Sequence, residues 1–187
     1  MRLRIEGYAI VSADGMIADA AGGIPPELIN PADQQFFSDH LDAADVIVHG
    51  RRSHEGHASS PHRRRLVLTR SVTALTRHSD YPRALLWNPE LESLEAACAA
   101  LGLEEGTVAI IGGTEVYGQF LPRYHTFHLS RAERVHISGG RPVFPGIPPQ
   151  TPENLLRQHG LVAGDARALD PAAGVSVRSW HRSDTGG

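Results

Sequence analysis

The sequence predicts an α/β domain over residues 1–187, with a mixed, mostly parallel central sheet flanked by helices and an antiparallel C-terminal edge. Short apolar runs without polar alternation recur along the chain, as is typical of strands buried on both faces of a parallel sheet. Helical patterns separate these runs, which favours the α/β class. Since neither an internal repeat nor a long linker divides the chain, we expect one domain.

Five buried strands are expected before the C-terminal third of the chain. Each apolar run ends at a turn signal or a polar segment, which marks the end of the strand. The runs are residues 8–11, 46–48, 66–68, 84–87 and 108–111.

Three helices are expected between these strands. Their apolar side chains recur at helical spacing, and the last helix stops before a proline. The ranges are residues 31–41, 92–101 and 114–121. In the C-terminal third we expect a long strand over 127–137, a loop rich in glycine and proline over 139–152, and a last strand over 175–180. For residues 146–187 the sequence supports only a closing loop and strand.

The composition limits the function classes. The chain is 41% hydrophobic and 21% charged with a formal net charge of -3, so neither nucleic acid nor a membrane is expected as a partner. No signal peptide and no run of about 18 apolar residues occurs, and a cytoplasmic location is expected. The single cysteine, Cys98, excludes an internal disulfide and a multi-cysteine zinc site.

Phosphate-binding residues follow three of the predicted strands. In open α/β sheets, ligands bind beyond the carboxyl ends of the strands. The segments found there are Gly50 to Ser53 with two arginines, Thr69 to Ser71 with one, and Gly112 to Thr114 at a helix N-terminus. Together they predict a site for a multiply phosphorylated ligand, without the dinucleotide motif GxGxxG. Taken singly, each segment is also explained by turn glycines and solvated arginines.

Asp33 is the candidate acid. Asn30 suits the N-cap and Pro31 the first helical position, so Asp33 shares a helix face with Phe36 and Phe37. A carboxylate held against aromatic rings in a cleft has a raised pKa and suits proton delivery. The alternative is that Asp33 only complements the helix dipole.

The histidines of residues 49–65 do not predict a metal site. The spacing of His54, His57 and His62 matches no strong ligand template, and no carboxylate or cysteine cluster accompanies them. We therefore expect no bound metal.

Several segments resemble, in the right order, those of one known family. They are residues 12–18, 31–37, 50–55, 66–70, 110–122, 127–130 and 143–145. The most specific is Ile-Ile-Gly-Gly-Thr-Glu-Val-Tyr over residues 110–117, whose Gly-Gly peptide is cis in the family. Over residues 5–145 the chain thus resembles the dihydrofolate reductases, which implies a dihydrofolate reductase-like fold.

The resemblance implies NADPH as the cofactor, with hydride transfer to a C=N carbon of a pteridine. The pyrophosphate would lie near residues 113–116, and Arg51, Arg52 and Arg70 would favour the 2′-phosphate. The cofactor residues implied in this way are Ala9, Ile17, Gly50, Arg51, Arg52, Ser53, Thr69, Arg70, Ser71, Ile111, Gly112, Gly113, Thr114, Glu115, Val116 and Tyr117.

The resemblance also implies a substrate site. Asp33, with Ser130, would grip the amidine-like edge of a pterin and promote protonation of the neighbouring ring nitrogen. The implied substrate contacts are Ile10, Leu28, Phe37 and Arg63, the last for a glutamyl carboxylate. The family usually has a tryptophan at Leu28, a glycine at Ala18 and Asp-Thr at residues 141–142. The substrate side therefore departs from the family more than the cofactor side does.

Three alternatives to dihydrofolate reduction stay open. The reductase domain of riboflavin biosynthesis shares the fold, and residues 63–65 would then bind the phosphate of a ribosylaminopyrimidine. Another dihydropterin, such as dihydromethanopterin, is a second candidate substrate. A nucleotide-binding module without turnover is the non-enzymatic alternative. The chain is expected to be a monomer or a homodimer.

Overall fold

The computed structural model describes residues 2–53 and 60–183, and eleven strands occur within these ranges. The strands are β1 (Arg2–Ser12), β2 (Met16–Ala18), β3 (Val46–Gly50), β4 (Arg65–Leu68), β5 (Thr76–Arg77), β6 (Ala84–Trp87), β7 (Glu105–Ile110), β8 (Thr126–Ala132), β9 (Arg141–Pro142), β10 (Leu161–Asp170) and β11 (Val175–Arg182). Nine of them form one sheet in the order β10-β11-β8-β1-β7-β3-β4-β6-β5, and β2 pairs with β9 separately.

The core of the sheet is parallel and its margins are antiparallel. β1 lies between β7 and β8 and runs parallel to both, and β3, β4 and β6 continue the parallel part. β11 and β10 form an antiparallel edge on β8, and β5 closes the other edge in the antiparallel sense. This mostly parallel sheet with an antiparallel C-terminal edge confirms the fold class predicted from the sequence.

Four α-helices occur in the described ranges: α1 (Pro31–Ala43), α2 (Leu94–Ala100), α3 (Thr114–Phe120) and α4 (Pro152–Gln158). The first three were predicted. The strand expected over 127–137 is shorter, because the Val135 N–H bonds to the Ala132 carbonyl and closes a turn there.

Helix α4 and strand β10 were not predicted. α4 has only seven residues, so its apolar side chains are too few to show a helical period. Its N-cap is Thr151, whose hydroxyl accepts a hydrogen bond from the Asn154 N–H. β10 contains Gly164 and an exposed middle, and among the described strands it pairs only with β11. Such an edge strand lacks the continuous apolar run that identifies a buried one.

An aromatic cluster supports the centre of the sheet. The ring of Phe127 lies 5.0 Å from Tyr124, 5.2 Å from Phe144 and 5.8 Å from Tyr117, measured between centroids. A Cβ on Gly7 of β1 would lie 2.3 Å from the Phe127 ring, so only glycine lets β1 cross this cluster. The cluster fixes β1, β8 and α3 relative to one another, and these elements carry the site below.

No helix in the described ranges has both the length and the apolar character needed to cross a bilayer.

Candidate active site

A cavity of about 330 Å³ lies beyond the carboxyl ends of the central strands, beside α1. β1 and β8 form its floor, α1 forms one wall, and the segments after β3 and β7 form the opposite end. Its lining includes Tyr8, Ala9, Ile10, Ile17, Leu28, Asp33, Phe36, Phe37, Arg52, Ser53, Ile111, Gly112, Gly113, Tyr117, His128 and Ser130. The predicted acid and part of the predicted phosphate-binding residues therefore share one cavity.

Asp33 projects into this cavity from the first turn of α1 and is only 8% exposed. Asn30 caps the helix, because its Oδ1 accepts from the N–H groups of Ala32 and Asp33 at 3.0 and 3.1 Å. Burial raises the pKa of the Asp33 carboxyl, and a hydrogen bond from Ser130 partly opposes this rise. The carboxyl group is thus held in an environment that favours its protonated form.

Ser130 reaches Asp33 from β8. It is buried and pairs in register with Ile10 of β1, so the two residues stand side by side on the cavity floor. The structure brings together the two residues that the resemblance assigned to the acid pair.

The Gly112-Gly113 segment forms a backbone cradle at the other end of the cavity. The peptide between the two glycines is cis, and Gly112 has a φ of 115°. A Cβ at Gly112 would lie 3.0 Å from the Tyr117 ring, and one at Gly113 would lie 3.1 Å from Ser53 Oγ. Neither position has room for a side chain, and both glycines line the cavity, where their backbone can meet a polar group such as a phosphate.

Hydrogen bonds join the cradle to the end of β3. The Gly50 N–H donates to the Gly112 carbonyl at 2.8 Å, and the Ile111 N–H donates to the Val48 carbonyl at 3.0 Å. The Thr114 hydroxyl donates to the Pro142 carbonyl, and Thr114 is outside the cavity lining. The bare cradle with neighbouring Ser53 and Arg52 fits the phosphates of a dinucleotide.

The predicted cofactor residues do not all line this cavity. Val116 lies behind Gly50, and the exposed Arg51 and Glu115 are outside the lining. Thr69, Arg70 and Ser71 follow β4, further along the same edge of the sheet. Two residues of the predicted cofactor motif, His54 and Glu55, lie outside the described residues, as does His57.

Arg70, which follows β4, forms an ion pair with Glu90. Its Nε lies 3.0 Å from Glu90 Oε1, and both side chains are well exposed. The Thr69 and Ser71 hydroxyls lie 2.8 Å apart and share a hydrogen bond.

Only some of the predicted substrate residues line the cavity. Ile10, Leu28 and Phe37 line the cavity beside Asp33. Arg63 is outside the lining, and its Nη2 donates to Asp42 Oδ1 at 2.5 Å.

A polar aromatic cluster in the cavity wall was not predicted from the sequence. His128 and Tyr8 both line the cavity, and Glu6 accepts a hydrogen bond from the Tyr8 hydroxyl. His128 Nδ1 lies 2.8 Å from Ser179 Oγ. The alternation of β8 was the available signal, because residue 128 shares the face of Ser130.

The fold and this cavity define a class of α/β protein with a cleft at the carboxyl edge of its sheet, around one buried acid. A dihydrofolate reductase family model matches residues 9–159, and the chain belongs to the dihydrofolate reductase family. Membership of this family supports an oxidoreductase.

Three solved structures are similar to the whole chain in fold. Dihydrofolate reductase from Enterococcus faecalis, complexed with NADP(H) and RAB-propyl, has a TM-score of 0.66 at 17% identity, covering 97% of each chain. A protein from Shewanella sp. PV-4 ascribed to riboflavin biosynthesis has a TM-score of 0.64 at 17% identity, covering 96% of this chain and 99% of that one.

The third is a diaminohydroxyphosphoribosylaminopyrimidine deaminase/5-amino-6-(5-phosphoribosylamino)uracil reductase from Thermotoga maritima. Its TM-score is 0.68 at 12% identity, with 97% of this chain and 57% of that chain covered. No curated protein sequence matches the chain. At these identities the structures establish the shared fold.

Proposed function

We propose that the protein is a reductase that uses NADPH to reduce a dihydropterin such as dihydrofolate. The observation that carries the proposal is the buried Asp33–Ser130 pair in the same cavity as the Gly112-Gly113 cradle. One polar site faces the expected reacting end of a heterocycle, and the other fits the phosphates of the cofactor.

The cradle, Ser53 and Arg52 would hold NADPH, which supplies a hydride when bound. Gly112 and Gly113 line the cavity, and their backbone groups would contact the phosphates directly. The presence of NADP(H) in the Enterococcus faecalis relative supports this choice. Arg51, Arg52 and Arg70 are the proposed contacts of the 2′-phosphate, since guanidinium groups bind phosphate oxygens in pairs.

Asp33 would bind the amidine-like edge of the pterin and assist protonation of the ring nitrogen beside the reacting C=N carbon. Its raised pKa keeps a larger fraction of the carboxyl protonated than an exposed aspartate would have. Ser130 orients the carboxyl group from β8. Leu28 and Phe37 line the cavity with Asp33 and would pack against the apolar faces of the heterocycle.

The test follows NADPH absorbance with dihydrofolate as substrate and compares wild type with Asp33→Asn. Because the amide keeps the shape but loses the acid, we expect a loss of about two orders of magnitude in kcat. Asp39→Asn is the matched control, since Asp39 is exposed on the same helix and bonds only to Gln35 among the contacts described. Wild-type protein that binds NADPH and leaves dihydrofolate unchanged would contradict dihydrofolate as the substrate.

A second candidate is reduction of a ribosylaminopyrimidine phosphate. The fold similarity to the Thermotoga maritima and Shewanella structures favours it. Against it, none of the three arginines proposed for the substrate phosphate lines the cavity, Arg63 pairs with Asp42, and Arg65 is fully buried. The same assay with this pyrimidine and with dihydromethanopterin separates the substrates, and binding of NADPH without any turnover would indicate a binding module.

A further inference from the structure

The C-terminal hairpin of β10 and β11 contacts the helix that carries the acid. Asp170, at the end of β10, accepts a hydrogen bond through Oδ2 from Asn30 Nδ2 at 2.9 Å. Asn30 is the N-cap of α1, and it is only 8% exposed. A residue 140 positions further along the chain therefore touches the cap of the acid helix.

The hydrogen bond fixes the orientation of the Asn30 amide. A carboxylate only accepts hydrogen bonds, so the amide NH2 of Asn30 must face Asp170. Its Oδ1 then faces the helix, where it accepts from the N–H groups of Ala32 and Asp33. If the amide turned over, it would present NH2 to these two N–H groups and the cap would be lost.

Asp170 is itself held in place by the hairpin. Its Oδ1 accepts from the Ala173 N–H at 3.0 Å, inside the turn between β10 and β11. The turn thus sets the position of the carboxylate, and the carboxylate sets the position of the cap.

A second contact joins the same two elements. The guanidinium carbon of Arg167, on β10, lies 5.2 Å from the centroid of the Phe36 ring. Phe36 is on α1 and lines the cavity. A cation over an aromatic ring at this distance is attractive, so the hairpin contacts α1 at the cap and again in the second turn of the helix.

The hairpin also holds the other member of the acid pair. β11 pairs with β8, and Val177 lies opposite Ser130 in the register. One hairpin therefore contacts the strand of Ser130 and the helix of Asp33.

We propose that Asp170 is a positioning residue for the acid: through Asn30 it holds the first turn of α1 so that Asp33 meets Ser130. The hairpin then holds the helix of Asp33 and the strand of Ser130 in their relative positions. This inference rests on the proposed function only for its kinetic consequences, because the positions of Ala32 and Asp33 are measurable without a substrate.

The kinetic test compares Asp170→Ala, which removes the acceptor, with Asp170→Asn, which keeps an amide oxygen for Asn30. We expect the alanine variant to lose about 5–20-fold in kcat while its KM for NADPH changes less than about twofold, since the cradle is at the far end of the cavity. The asparagine variant regains most of the rate. Asp165→Ala is the control, because Asp165 is exposed on the same strand.

The substrate-free test is amide hydrogen exchange by NMR. In Asp170→Ala the Ala32 and Asp33 amides exchange at least about tenfold faster, while those of β1 and β7 keep their rates. Unchanged exchange at both amides overturns the proposal. A loss of kcat that Asp170→Asn does not rescue also overturns it, and so does a change in the KM for NADPH as large as the change in kcat. If wild type reduces none of the substrates, the proposed function fails and the exchange rates alone decide the role of Asp170.

Discussion

The imidazole ring of His128 stacks on the phenol ring of Tyr8, with the centroids 4.8 Å apart and the planes 10° apart. Both side chains also meet the carboxylate of Glu6: the Tyr8 hydroxyl donates to it, and His128 Nε2 lies 3.9 Å from Oε2. Burial lowers the pKa of His128, with Glu6 opposing the change, so the imidazole is mainly neutral at pH 7. The three residues join β1 to β8 in the cavity wall.

The first prediction concerns acid stability and Glu6. Burial would raise the pKa of Glu6, but hydrogen bonds with His128, Tyr8 and Arg4 lower it from 4.5 to about 2. Because the folded pKa is the lower one, the stabilisation is present above pH 4.5 and is lost as the pH falls towards 2. Glu6→Gln should lower the free energy of unfolding by about 1–2 kcal/mol at pH 7, a figure already reduced because solvent screens the charge of Glu6. At pH 3 the loss should be much smaller.

Urea unfolding at the two pH values measures this difference. Glu104→Gln is the control, since Glu104 is exposed. An equal loss at pH 7 and pH 3 would show that Glu6 stabilises the fold by packing alone.

The second prediction concerns the pH dependence of turnover and Ser130. Burial raises the pKa of Asp33, whereas the hydrogen bond from Ser130 lowers it. If the protonated acid is the active form, activity falls as the pH rises through the Asp33 pKa. Ser130→Ala removes the lowering contribution, so this limb of the kcat/KM profile should move to higher pH while the maximal rate drops about tenfold.

Profiles of kcat/KM between pH 4 and pH 9 for both proteins test this expectation. Ser138→Ala is a suitable control, because Ser138 is an exposed loop residue. A limb that moves to lower pH would mean that the hydroxyl does not stabilise the ionised carboxylate.

Much of this architecture could be predicted from local sequence. The buried strands β1, β3, β4, β6 and β7 are apolar runs, and burial on both faces produces such runs directly. The position of Asp33 followed from Asn30 and Pro31, since a cap and a first-turn proline fix where a helix begins. The glycines at 112 and 113 predicted bare backbone at a helix N-terminus, and the structure places both in the cavity lining just before α3.

The remaining features depend on contacts between distant segments. Asn30 and Asp170 are 140 residues apart, and nothing near either one indicates the other. Tyr8 and His128 meet because β1 and β8 pair at this register, which the sequence of neither strand sets alone. The pairing of Arg63 with Asp42 also joins two separate segments, because Asp42 lies on α1 and Arg63 lies just before β4.

The third prediction concerns the Gly112 backbone and cofactor binding. Gly112 has a φ of 115°, and a Cβ there would lie 3.0 Å from the Tyr117 ring. Gly112→Ala should therefore destabilise the fold by about 1–3 kcal/mol and weaken NADPH binding by at least about tenfold.

Gly139 provides a matched control for this variant. Its φ of 68° is also positive, but a Cβ there meets no atom within 4 Å. Gly139→Ala should cost about 1 kcal/mol in backbone strain and leave NADPH binding unchanged. Thermal unfolding and titration of NADPH fluorescence measure the two effects, and equal affinities in the two variants would exclude the cradle as the phosphate site.

The last prediction separates NADPH from NADH through Arg70. This arginine follows β4 and pairs with Glu90 at 3.0 Å on an exposed surface, where an ion pair contributes only about 0–1 kcal/mol. A 2′-phosphate offers more charge and several acceptor oxygens, so it should draw Arg70 away from Glu90. Arg70→Gln should then weaken NADPH binding about tenfold and NADH binding less than about twofold.

Arg77→Gln, at an exposed position on the edge strand β5, controls for the general loss of positive charge. Dissociation constants for both cofactors, measured at two salt concentrations, complete the test, because a direct phosphate contact weakens as salt rises. Equal losses for NADPH and NADH in Arg70→Gln would remove Arg70 from the 2′-phosphate site and leave the exposed Arg51 and Arg52, at the end of β3, as its remaining arginines.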